Sequence, residues 1–167
     1  MAILYRGATT SATYFITAST FCKKNLLQSD RMAELFCQTM FQYRTQGKFL
    51  LHAFVVMPNH IHLLLTVPQG LTLERVVQLI KGGFSYQAGV VTGSAGPIWQ
   101  KSFVDRRVRD LEEFERYLEY IHQNPVRAGL ASSAEEFRYC SMSRSFAMDE
   151  LPQWLKPQLD VPALMHR

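Results

Sequence analysis

The stretch FLLHAFVVMPNHIHLLLTV, residues 49–67, restricts the fold more than any other part of the chain. Two apolar, strand-favouring runs are separated by Pro58 and Asn59 alone, and so short a gap of turn-forming residues leaves the chain no path except straight back beside itself. An antiparallel hairpin is predicted, with strands over 49–57 and 60–67. Side chains alternate across a strand, so Ile61, Leu63, Leu65 and Val67 share one face, wholly apolar and expected to lie against helices. The other face carries His60, His62 and Leu64. Two imidazoles projecting the same way from so apolar a strand raise the question of what they serve.

The remaining elements follow from periodicity and punctuation. ATYFITAST, residues 12–20, is rich in threonine and aromatics and predicts a strand that ends at a polar turn, Cys22 to Asn25. Asp30 is expected to cap a first helix, in which apolar residues at Met32, Leu35, Phe36, Met40 and Tyr43 keep helical spacing up to Gly47. A second helix is expected over Leu71 to Val91, on the spacing of Leu73, Val76, Val77, Ile80 and Phe84. It forms despite Gly82 and Gly83, each costing about 1 kcal/mol relative to alanine. Gly93 to Pro97 is a loop, and Ile98 to Arg109 one extended segment or two. Asp110 with Glu113 makes a capping box for a third helix, expected to end at Pro125 and Gly129. Strand, helix, strand, strand, helix, strand, helix is an α+β order: an antiparallel sheet with helices packed on it, and not a doubly wound parallel sheet. Residues 1–130 form the predicted domain, and 131–167 a tail of that domain whose path the pattern does not give.

At 167 residues the chain is long enough for one real core. Its three cysteines, Cys22, Cys37 and Cys140, are odd in number and far apart, which argues against a disulfide framework or a cysteine zinc site. No segment resembles a signal peptide or a membrane span, so a cytoplasmic protein is expected. The net charge of +4 is mild, but Lys101, Arg106, Arg107 and Arg109 fall together in KSFVDRRVR. That run suits either a solvated strand edge or an anion-binding surface.

Strand geometry sets His60 and His62 about 6 to 7 Å apart at the backbone, close enough to share an ion. A half-exposed pair on an open sheet face is equally compatible with the spacing, and two nitrogens do not complete a site. The third helix offers further groups. Leu111, Phe114, Leu118 and Ile121 make its buried stripe, with Tyr117 at the border, whereas Tyr120 and Asn124 fall nearly opposite, one turn apart. Tyr120 then faces either solvent or a site against the sheet.

Taken together, MPNHIHLLL, the downstream YIHQNPVRAGL, the intervening GPIWQKSFVDRRVRD and the early TYFITAST resemble the single-tyrosine transposases of the HUH nuclease superfamily. The branch they resemble most is the REP-associated tyrosine transposases, and the likeness spans residues 13–130 in the right order. It implies a ferredoxin-like HUH nuclease fold and a metal-dependent strand transferase for single-stranded DNA beside a hairpin. On this likeness Tyr120 is the nucleophile, and His60, His62 and Asn124 hold Mg²⁺ or Mn²⁺. Asn124 stands where insertion-sequence relatives usually have glutamine, and Gln123 beside it is the alternative ligand. Lys81, Lys101, Arg106, Arg107 and Arg109 would meet backbone phosphates, and Trp99 and Phe103 would stack on unpaired bases, with ordinary packing the alternative for Trp99. Ala12 replaces a glycine common in the branch, a change expected to touch specificity. The partner would be a REP-like hairpin, bound by a monomer or a homodimer. Two rivals remain open: a domesticated hairpin-binding protein without cleavage, and a zinc hydrolase of small molecules. The second lacks any H-E-x-x-H pattern.

Overall fold

The computed structural model describes residues 10–157, so the extreme N-terminus and the last part of the tail, Pro162 included, lie outside the described residues. Four strands, β1 (Ala12–Ser19), β2 (Leu50–Met57), β3 (His60–Val67) and β4 (Val104–Arg107), form one sheet in the order β2-β3-β1-β4. Every neighbouring pair is antiparallel. With α1 (Asp30–Thr45), α2 (Leu73–Thr92) and α3 (Leu111–Arg127), the chain order is βαββαβ followed by one more helix. This is the ferredoxin-like arrangement expected, and the hairpin forms as predicted, with Met57 opposite His60.

Helices cover both faces of the sheet. α1 and α2 lie on the apolar face, where Ile16, Ile61, Leu63 and Leu65 meet Phe36, Met40, Ile80 and Phe84. α3 lies on the histidine face, where Phe15, Val55 and Leu64 meet Phe114 and Ile121. The histidine face is therefore not open. Trp99 belongs to the first core: its ring packs edge-on to Phe36 and Phe84, and its Nε1 donates to the Lys81 carbonyl at 3.1 Å. Of its two expected uses, packing is the one realised.

The glycine pair in α2 has a one-sided explanation. A Cβ on Gly83 would lie 2.7 Å from the Tyr43 ring and 3.1 Å from Thr39 Cγ2, so this glycine lets α1 and α2 approach. Nothing comes within 4 Å of a Cβ on Gly82.

Two boundaries and one buried position differ from expectation. Ser29, not Asp30, caps α1, its hydroxyl accepting from the Met32 N–H. Leu111 is exposed, because α3 turns its sheet-facing side through Phe114, Tyr117, Ile121 and Pro125 instead. Pro125 does not end α3: it lies within the last turn, and the stop comes at Gly129, φ 71°. There the Gly129 and Leu130 N–H groups close back on the Val126 and Pro125 carbonyls in a Schellman motif.

The tail has a defined course. The Tyr139 carbonyl accepts from the Val56 N–H, the Ser141 N–H donates to the Phe54 carbonyl and the Asp149 N–H to that of Leu51, so the segment runs along the free edge of β2 and satisfies it. The Asp149 carboxylate also accepts from Arg44 Nε at 2.8 Å and the Leu51 N–H at 2.7 Å.

Candidate active site

α3 begins where Asp110 accepts from the Glu113 N–H at 2.8 Å. Glu113 reaches back to the Arg109 N–H at 2.9 Å, one residue earlier than the usual capping box, and also takes the Arg109 guanidinium. That ion pair holds the Glu113 carboxyl down to about 2. The start of the helix is thus clamped, and its sheet-facing side is set by Phe114 and Ile121 in the second core. Tyr117 stacks on Phe15 at 4.6 Å between centroids, as core.

Tyr120, three residues on, is 39% exposed, yet its ring is not free in solvent. It stands edge-on to His62 at 5.2 Å and to Phe15 at 5.6 Å. Its environment is both of the expected ones at once: a site against the sheet, open to solvent on its outer side. One turn later the Asn124 side chain meets His60, favouring its protonated form. Gln123 points elsewhere, into a separate cleft with Glu119 and His122. Of the two amides, only Asn124 stands at the histidines.

The two imidazoles converge, with ring centroids 4.8 Å apart and planes at 77°. Each is held at Nδ1 by an oxygen: His60 donates to Asn59 Oδ1 at 2.7 Å, and His62 Nδ1 lies 2.7 Å from the Thr17 hydroxyl. At Nε2 they differ, because Asn124 stands at His60 while His62 has no partner there. His62 Nε2 is buried and has none; no other buried side-chain nitrogen or oxygen among the described residues is left without one. A buried polar atom without a partner is costly, and a cation facing its lone pair would remove that cost. Burial, and then the charge of His60, push the His62 pKa down to about 3; burial and Lys23 lower that of His60. Both rings are therefore neutral near pH 7, as metal coordination requires. Among the described residues no group of three or more His, Cys, Asp or Glu gathers, so the available donor set is two imidazoles and an amide oxygen. That donor set falls short of a closed four-ligand zinc site and could hold a divalent cation with positions left open.

A family model for IS200-like transposases matches residues 8–124, which contain the histidine pair, Tyr120 and Asn124. The chain belongs to that family. Among curated relatives, this IS200-like transposase is 23% identical over 141 residues to the REP-associated tyrosine transposase of Escherichia coli (strain K12), covering 84% of this chain and 82% of the relative. Among solved structures it is similar to a REP-associated tyrosine transposase bound to a REP hairpin, at 21% identity and a TM-score of 0.69, covering 95% of this chain and 96% of the other. That likeness establishes the shared fold.

The basic residues of this transposase divide between the two faces. In the β1–β4 register Arg106 pairs with Phe15 and Arg107 with Tyr14. Directly paired residues share a face, so Arg106 is on the Tyr120 side and Arg107 on the α2 side. All four β4 residues are exposed. Lys81 and Lys101 line a cavity on the α2 side, and Lys81 Nζ donates to the Gln100 carbonyl at 2.7 Å. Arg109 is already paired with Glu113, although most of its side chain is exposed.

Three side chains at the site went unread in the sequence. Thr17 and Asn59 hold the imidazoles, and Lys23 is close enough to His60 to lower its pKa. Thr17 is found only through register, since it pairs with His62 across β1 and β3. Lys23 arrives on a turn with two left-handed non-glycine residues, Cys22 (φ 53°) and Lys23 (φ 50°). Such conformations cost of order 1–3 kcal/mol each. The turn is secured to the hairpin by the Thr20 N–H and hydroxyl, which both donate to the Asn59 carbonyl. The one legible signal was the paired lysine in CKKN.

Proposed function

We propose that this chain cleaves and rejoins single-stranded DNA beside a REP-like hairpin through a covalent link to Tyr120. The observation that carries the reading is the seating of the Tyr120 ring on His62, with Asn124, one turn along the same helix, at His60. A phenol, two neutral imidazoles, one with an open Nε2, and an amide oxygen make a poor site for most reactions. They suit phosphoryl transfer to the phenol.

In the first step the Tyr120 hydroxyl oxygen bonds to the scissile phosphorus and gives up its proton. The bond from phosphorus to the 3′ oxygen breaks, leaving a 5′-phosphotyrosine and a 3′-hydroxyl. Attack of a 3′-hydroxyl on that linkage reverses the step, expels the tyrosine and rejoins a strand. One phosphodiester replaces another, so no nucleotide triphosphate is consumed, in keeping with a chain that has no G-x-x-x-x-G-K-[ST] motif. His60, His62 and Asn124 would hold Mg²⁺ or Mn²⁺, whose chemistry is Lewis-acid polarisation of the phosphate oxygens. Lys23 beside His60 adds positive charge where the phosphate must lie, and Arg106 extends it along β4. Packing of Tyr120 against Phe15 restricts the ring before substrate arrives, which lowers the entropy cost of reaching the in-line position. The hairpin partner is supported by the related transposase solved with a REP hairpin. No described helix is long and apolar enough to cross a membrane.

The test is a denaturing gel of the protein incubated with labelled hairpin DNA and Mg²⁺ or Mn²⁺. A covalent adduct that disappears with EDTA supports the reading. Tight hairpin binding with no adduct on any of several hairpins favours the non-cleaving alternative.

A further inference from the structure

The mechanism uses nothing of the cavity beside α2, which encloses about 700 Å³. That volume falls within the roughly 300–1,000 Å³ typical of pockets that enclose small organic ligands. Its lining mixes two chemistries. Val77 and the half-buried ring of Phe103 supply apolar wall, while Arg75, Lys81 and Lys101 supply three cations against one carboxylate, Glu74. Lys81 is held in place by the Gln100 carbonyl, so its charge is fixed at the cavity and not free to swing away. Gly82 also lines the cavity, with nothing within 4 Å of where its Cβ would stand, so bare helix backbone faces open space.

The position of the cavity relative to β4 is the second observation. Phe103 and Lys101 come immediately before that strand, which is four residues long, fully exposed and at the sheet edge. Arg106 marks its Tyr120 side and Arg107 its α2 side. A path of roughly 13 Å, four residues of strand rise, thus leads from the Tyr120 face over the edge to the cavity, with Arg106, Arg107 and Lys101 as its cations and Asp105 as a carboxylate on its α2 side. Cations tracking a backbone, with an aromatic ring at the end, are the elements of single-strand binding; a duplex stem is too wide for a concave pocket of this size.

We propose that the α2 cavity is a subsite for one unpaired nucleotide of the DNA strand, which crosses the β4 edge from the Tyr120 face and places its base against Phe103 and its phosphate between Lys81 and Lys101. This rests on the reading of the chain as a single-strand transferase, but it is tested by binding and not by cleavage.

The experiment measures fluorescence anisotropy with the full chain carrying Tyr120→Phe, on a bare hairpin and on the same hairpin with a short single-stranded extension. The extension should tighten binding about 10-fold or more, the worth of one stacked base with its phosphate contacts. Gly82→Trp fills the cavity from a position with room for a side chain. It should remove the gain from the extension while leaving bare-hairpin affinity and the melting temperature unchanged. The proposal is overturned if folded Gly82→Trp protein keeps the full gain, if it weakens both DNAs equally, or if the extension adds nothing to begin with. Absence of a covalent adduct in the unsubstituted protein would count against the Tyr120 chemistry alone, since the anisotropy comparison reads the cavity in either case.

Discussion

The two faces of the sheet are made by the same strands and do different work. On the α1–α2 face every alternate residue of β3 is aliphatic, and the facing helices answer with Phe36, Met40, Ile80 and Phe84. On the α3 face the alternation of the same strand brings His60 and His62, held by Asn59 and Thr17, under Tyr120. Further along that face His52 Nε2 lies 2.7 Å from the Thr66 hydroxyl, which lies 2.7 Å from that of Thr13, and Trp154 of the tail donates to Thr13 at 3.0 Å. Burying polar groups is tolerable only where each finds a partner, and on this face nearly all do. The exception is His62 Nε2. One face of β3 is wholly apolar, and the other gives up some stability in leaving a buried nitrogen without a partner.

Substitutions should separate the two roles. Tyr120→Phe removes one exposed hydroxyl; adduct formation should fall to background while the melting temperature stays within the range of a surface change, about 0.5 kcal/mol. Retained cleavage in that variant would break the division at once. Leu63→Ala, on the apolar face, should do the opposite, costing about 2–5 kcal/mol in urea unfolding with the adduct yield per folded molecule unchanged.

The third comparison uses pH. The His62 pKa falls from 6.5 in the unfolded chain to about 3 in the folded one. Below 6.5 the unfolded state binds the proton that the folded state refuses, so stability is full above that pH and is lost progressively as pH falls toward about 3. His52, His60 and His122 shift in the same direction. His62→Leu should therefore shallow the decline in melting temperature between pH 6.5 and 4, making the variant the more stable protein in acid even as Mn²⁺ binding is lost. An unchanged slope would mean that His62 is not the refusing group. The smallest effect is expected from Thr17→Val, which keeps shape and drops the hydroxyl at His62 Nδ1. Mn²⁺ affinity by calorimetry should weaken about 10- to 100-fold, with under about 1.5 kcal/mol of stability lost.

How much of this was readable in advance depends on distance along the chain. The hairpin, the helix start capped by Asp110 and the placement of Tyr120 off the buried stripe are local signals, spanning a few residues each, and the structure follows them. Leu111 falls outside the core although it lies on the stripe, because helical periodicity gives a stripe but not which end of it reaches the sheet. Proline usually breaks helices, which makes Pro125 the expected stop, yet in the last turn its missing N–H removes only one bond and Gly129 supplies the actual termination. Thr17 at His62, Lys23 at His60 and the tail along β2 depend on register and on a turn folding back over the hairpin, and no local pattern encodes them. The division of Arg106 and Arg107 between faces could have been anticipated from strand alternation, but not which face was which.

The central claim concerns a single oxygen on α3, and that helix carries two tyrosines at the site: Tyr117, stacked on Phe15, and Tyr120, at His62. Peptide mass spectrometry of the protein after reaction with hairpin DNA and Mn²⁺ would locate the attached nucleotide directly. The account predicts a nucleotide-phosphate mass on Tyr120 and none on Tyr117; an adduct on Tyr117, or on any residue outside α3, would contradict it.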